Sequence, residues 1–209
     1  MTRLDAERES LPCELLHSGG TSTTRMTAHL RHRFIPHHHA PNDGHPLISA
    51  TPRISLRLLS REDARRVLNG QKVPGQTLGR EYPSFLETDV LRSLIYEQSP
   101  GATPGTFGHY QVEIRESSTV IGGAGFLAPP DEFGAVQIDL QIVPDYLHSG
   151  YESEVVAELI SIARTNKAVY VIATTKVHEQ KAQATLELGG LEEIVRDETT
   201  VHFGLDLRL

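Results

Sequence analysis

Tryptophan is absent from these 209 residues, methionine occurs twice and cysteine once, at Cys13. A lone thiol cannot close an internal disulfide, so stability has to come from packing. A chain that is 38% hydrophobic, with a mean hydropathy of −0.28, can still fill one core of ordinary size. Long hydrophobic runs are also missing. No stretch approaches the ~20 apolar residues that span a bilayer, and the charged residues Met1 to Ser10 are not followed by the apolar segment of a secretory leader. The expected location is therefore cytoplasmic, without a membrane partner. Positive charge is scarce too: 20 Lys and Arg face 27 Asp and Glu, a formal net charge of −7. That balance repels polyphosphates and argues against nucleic acid as a partner.

Residues 1–50 are rich in Ser, Thr, Gly, Pro, His and Arg and hold no sustained apolar period, which predicts a disordered, His-rich extension. Six histidines lie between Met26 and Pro46, but no paired Cys or carboxylate frame surrounds them, so no metal site is expected. Order is predicted from residue 51 to 209. Ile54, Leu56 and Leu58 alternate as on a half-buried strand. Ser60 then precedes Glu62 and Asp63 as the cap and acidic first turn of a helix ending at Gly70. A second helix carries Leu86, Val90, Leu91, Leu94 and Ile95 on one face. Three strands follow, in HYQVEIRE, STVIGGAGFLA and GAVQIDLQIVP, and suggest an antiparallel meander. A loop containing Gly150 leads into a helix with Val155, Val156, Leu159, Ile160 and Ala163 along one side. Such a strand, loop and helix present unpaired backbone N–H groups at a helix N-terminus, which favours an anion. AVYVIATT reads as an internal strand, His178 to Leu188 as a helix closed by Gly189 and Gly190, and the remainder as two strands.

Over 51–209 this order and three local strings resemble the GNAT superfamily of acetyl-CoA-dependent N-acetyltransferases, most closely the branch acting on ribosomal-protein N-termini. The strings are TPRISLRLLSREDA, VIGGAGFLAPPDEFGAVQIDLQIVPDYLHSGYESEVVAELISIA and LELGGLEEI. The resemblance implies an α/β fold with a mixed, mostly antiparallel sheet of six to seven strands flanked by helices. It also implies acetyl-CoA as co-substrate, held by the backbone of Ile142 and Val143 and by the loop His148, Ser149, Gly150, Tyr151 and Glu152.

Within that resemblance several positions depart from the family pattern. Of the loop motif Arg/Gln-x-x-Gly-x-Gly/Ala, matched to Leu147–Glu152, only Gly150 and the tyrosine that often follows it agree. Leu147 replaces the polar first residue, and Glu152 sets a carboxylate at the helix end that should receive phosphate. Gln137 stands at a position that often holds a catalytic Glu. Asp139, two residues on and on the same strand face, is the candidate base. Glu179 and Ala182 replace an Asn and a Ser, with a one-residue shift putting Gln180 in the Asn place instead, and Leu186 falls where a tyrosine often protonates the departing thiolate. Direct attack of an amine on a thioester needs little beyond orientation, a polarising backbone amide near Val143 and a deprotonated amine. The expected reaction is therefore acetyl transfer to a primary amine of a small molecule or peptide. The alternative is an inactive protein of this fold that keeps a binding or regulatory role. Glu81 and Tyr82 lie where related enzymes place a substrate-side loop, and the C-terminal edge strands would allow a homodimer.

Overall fold

The computed structural model describes residues 52–96 and 105–208; the His-rich extension therefore lies outside the described residues. Strand β1 (Ile54–Leu58) leads to helix α1 (Arg61–Leu68), whose cap is Ser60: its Oγ accepts the Asp63 N–H at 3.0 Å. A two-residue strand β2 (Thr77–Leu78) and helix α2 (Phe85–Tyr96) precede the meander β3 (His109–Ile114), β4 (Thr119–Phe126) and β5 (Ala135–Ile142). A 3₁₀ turn at Pro144–Tyr146 enters α3 (Tyr151–Thr165). Then come β6 (Tyr170–Lys176), α4 (Gln180–Leu188), β7 (Glu192–Arg196) and β8 (Thr200–Asp206).

The strands form one sheet in the order β1-β3-β4-β5-β6-β8-β7, with β2 alongside β4. The pairs β5·β6 and β2·β4 are parallel and the rest antiparallel. The sheet thus has eight strands rather than six to seven. The extra one is β2, too short to leave an alternating pattern. β6 is internal, between β5 and β8, as its apolar sequence required. The edge strand β7 carries Glu192, Glu193 and Arg196 exposed, charges that oppose pairing between copies.

Neighbouring residues on a strand point to opposite faces, and two cores follow from this. Ile142 packs with Val155, Val156 and Leu159 of α3 and Leu186 of α4, whereas Val143 packs with Ala64 and Val67 of α1 and Leu91 of α2. Leu159, Leu91 and Val67 are at most 1% exposed, and burial of each contributes about 2 kcal/mol. The face expected on α2 is only half used: Leu91 is buried, but Leu86 and Val90 are exposed. No helix among the described residues is long and apolar enough to cross a membrane.

Candidate active site

Parallel pairing of β5 with β6 lasts only from Ala135↔Tyr170 to Gln137↔Ile172. Beyond that rung β5 stays with β4 and β6 with β8, so the two strands part and open a cleft of about 340 Å³. Its walls are Ile138–Ile142 of β5, Ala173–Thr175 of β6 and one side of α4, including Lys181 and Leu186. Val143 donates its N–H to Ile121 O at 2.8 Å, so alternation along the strand turns the Leu140 and Ile142 amides the other way, toward the cleft. Of the two residues named from sequence, Ile142 thus turns its N–H toward the cleft, while Val143 gives its N–H to β4 and its side chain to the core. Across the cleft, the buried Thr175 hydroxyl has no hydrogen-bond partner among the described residues.

The loop at the cleft's end is pinned from outside. Gly150 caps α3 with φ +80°, a left-handed conformation that few other residues adopt without strain, and His148 has φ +65°. Arg53, just before β1, holds the loop. Its Nε donates to Glu154 Oε1 (2.6 Å), its backbone N–H to Glu154 Oε2 (2.7 Å) and a terminal nitrogen to Ser149 O (2.9 Å). The guanidinium also lies 4.4 Å from the Tyr151 ring centroid. Glu152 is buried, and its carboxylate accepts the His148 N–H at 3.2 Å. Lys181 Nζ donates to His148 Nε2 at 3.2 Å. The amides of Ser149, Gly150, Tyr151 and Glu152 meet no acceptor among the described residues. The expected Glu152 carboxylate is thus at the helix end, but it serves as a staple inside the loop and leaves these four donors open.

On the other face of β5, under α2, lies a cavity of about 620 Å³. Two glycines of β4 make the room. Register aligns His109, Gly125 and Asp139 in one row across β3, β4 and β5, and Gln111, Gly123 and Gln141 in the next. A Cβ on Gly123 would stand 2.1 Å from the Glu87 carboxylate, and one on Gly125 would stand 2.5 Å from Gly108 O. Into the space above Gly123 α2 lowers Glu87, 3% exposed, whose Oε1 takes a hydrogen bond from Tyr82 OH (3.3 Å) and lies 2.8 Å from His109 Nε2. Ser84 ties the start of α2 to β5: its Oγ accepts the Glu87 N–H (3.2 Å) and donates to Gln141 Oε1 (2.8 Å).

Asp139 opens into this cavity, with its carboxyl partly shielded by the surrounding walls. That desolvation, opposed by the Leu140 amide and the charge of His109 and reinforced by Glu87, raises its carboxyl above the ordinary range. Tyr82 is buried, with its phenol raised by burial and then by the charge of Glu87. Asp139, Leu140 and Gln141 line both the cavity and the cleft, so the two spaces share a wall in β5.

Of the residues singled out from sequence, Ile142, His148 and Glu152 line the cleft, while Ser149, Gly150 and Tyr151 form the loop at its end. Glu81 is exposed with φ +67°, and Tyr82 is turned inward as a support for Glu87; neither lines the cavity. Sequence reasoning missed Arg53, Glu87 and His109, each of which acts through partners more than twenty residues away or on another element. The Gly-Gly-x-Gly run at 122–125 was the available signal, since glycines inside a buried strand mark a close approach.

A family model described as an acetyltransferase (GNAT) domain matches residues 53–192. A curated relative, the uncharacterized N-acetyltransferase p20 of Bacillus licheniformis, is 25% identical over 116 residues, covering 56% of this chain and 65% of the relative, just under two thirds of its length. Among solved structures, a spermidine N-acetyltransferase from Vibrio cholerae in complex with CoA and spermine aligns at TM-score 0.52 and 16% identity, over 76% of this chain and 98% of that one. A ribosomal-protein-serine acetyltransferase from the same organism, described as putative, aligns at 0.51 and 14%, over 75% and 95%. At such identities these two similarities establish the fold alone.

Proposed function

The chain belongs to the GNAT acetyltransferase family, and from that premise we propose that it moves an acetyl group from acetyl-CoA to a primary amine of a small molecule or protein N-terminus. The observation that carries the proposal is the wall Asp139–Gln141, which a cleft suited to an extended amide-bearing chain shares with a cavity that holds a carboxylate.

The residues present fit acetyl-CoA. The Ile142 amide and the unpartnered Thr175 hydroxyl suit a pantetheine arm lying where β6 leaves β5. The open amides of Ser149 to Glu152, with Lys181 beside them, suit its pyrophosphate. Bound there, acetyl-CoA supplies an activated thioester. Asp139 meets the acceptor's ammonium and takes its proton, which frees the lone pair. Strand β5 orients both partners, an effect with a ceiling of about 7–11 kcal/mol of barrier. Leu186 cannot protonate a thiolate, but a leaving thiol with an ordinary value of about 8.5 needs little help near neutrality.

The alternative of an inactive module gains nothing from the comparisons. Calorimetric titration with acetyl-CoA, followed by thiol release in the presence of amines, tests the reading. Micromolar binding and amine-dependent release are expected. No binding, by the native chain or by Glu152→Ala, would overturn it.

A further inference from the structure

Three large apolar side chains on the rim of the α2 cavity lack a structural explanation. Leu86 and Leu127 are each 61% exposed and Val90 is 37% exposed, although all three converge on one concave space with Phe107 and Phe126. Water-facing apolar groups gathered around a pocket mark a surface that a ligand covers. Two carboxylates line the cavity, Glu87 and Asp139, while Arg61 and Ser93 bring a cation and a hydroxyl to its lining. Glu87 is buried and already engaged by Tyr82 and His109, which leaves Asp139 as the carboxylate that opens to an incoming group among the described residues.

We propose that this cavity takes a primary amine with a single positive charge on an apolar body, aliphatic or aromatic, in preference to a polyamine or a polar peptide end. The inference rests on the acetyl-transfer reading and names its acceptor class. The reacting ammonium sits on Asp139, in the wall shared with the cofactor cleft. The rest of the molecule runs outward between Phe107, Phe126 and Leu127 on one side and Leu86 and Val90 on α2. A second ammonium on that path would be stripped of water against apolar walls, an unfavourable transfer. An alkyl or phenyl body would instead release ordered water from both surfaces.

The experiment compares kcat/KM for hexylamine and 2-phenylethylamine with that for spermidine, putrescine and a Ser-terminated hydrophilic peptide, using the full chain at saturating acetyl-CoA. The apolar monoamines should lead by tenfold or more. Val90→Glu, an exposed helix position that tolerates the change, adds a carboxylate along the wall and should move the ratio toward spermidine by tenfold or more. Preference for spermidine or the peptide in the native chain, or an unmoved ratio in the variant, would overturn the acceptor class while leaving acetyl transfer intact. Should no amine release thiol, acetyl transfer fails and the cavity is read directly by calorimetry. Binding of 2-phenylethylamine that weakens in Asp139→Asn then supports the inference, and no binding sinks it.

Discussion

The cleft between β5 and β6 and the cavity under α2 share the wall Asp139–Gln141, yet they are made of different material. In the cleft the open polar groups are mainly main-chain amides, left unpaired by an interrupted ladder and by the start of a helix. In the cavity they are side chains, set in place by glycines opposite and by a hydrogen-bonded chain from Tyr82 through Glu87 to His109. Backbone donors persist through almost any substitution, whereas a carboxylate in a tight space does not. The first surface can therefore drift in sequence with its geometry intact, and the second is brittle.

Substitutions should separate the two. The largest effect is expected at Asp139→Asn, which keeps the shape and removes the base: kcat falls by about 10²–10⁴-fold while acetyl-CoA affinity changes little. Equal loss in affinity would show that the two surfaces are not separable. The same variant carries a pH signature. Because the folded chain holds the Asp139 proton more tightly than the unfolded chain, charging it costs stability as pH rises from the ordinary aspartate range through its raised value. Thermal melts of Asp139→Asn should lack that decline.

Next in size is Gly123→Ala. Its methyl group would stand 2.1 Å from a Glu87 carboxylate that is buried and bonded, so it cannot swing clear. A loss of about 1–3 kcal/mol is expected by denaturant titration, with acceptor KM raised and acetyl-CoA binding spared. Arg53→Ala acts on the other surface. It releases Ser149 and leaves Glu154 without its guanidinium partner, at about 1 kcal/mol given the exposure of Arg53. Acetyl-CoA binding should weaken several-fold, and an unchanged Kd would show that the loop keeps its shape without the clamp. The smallest change is Glu152→Gln, which keeps an acceptor for the His148 N–H while removing one negative charge. Affinity for acetyl-CoA should rise a few-fold at low salt, and the gain should shrink as salt is added.

The element order was legible from sequence because amphipathic periods and caps are local. Ser60 with Asp63 and the apolar stripe of α3 each carry their own signal. β2 escaped notice because two residues make no period, and its place beside β4 depends on a distant pairing. The loop proposed to hold the cofactor carries a local signal in Gly150, whereas the partners of its side chains do not show in sequence. Glu152 reads as an anion facing phosphate, while in the structure it turns inward to His148. The cavity under α2 was nearly invisible, since the partners of Glu87 come from β3 and from the segment ahead of α2, and only three-dimensional register brings His109 and Asp139 to either side of Gly125.

The early parting of β5 and β6 also bears on solubility. A row of unmade ladder groups normally invites another chain to add a strand, the route by which edge strands aggregate. Here the row lies in the middle of a sheet, with β4 behind β5, β8 behind β6 and α4 across the opening. Flanked in this way, the unpaired edge is screened from strand addition at the rim of the sheet.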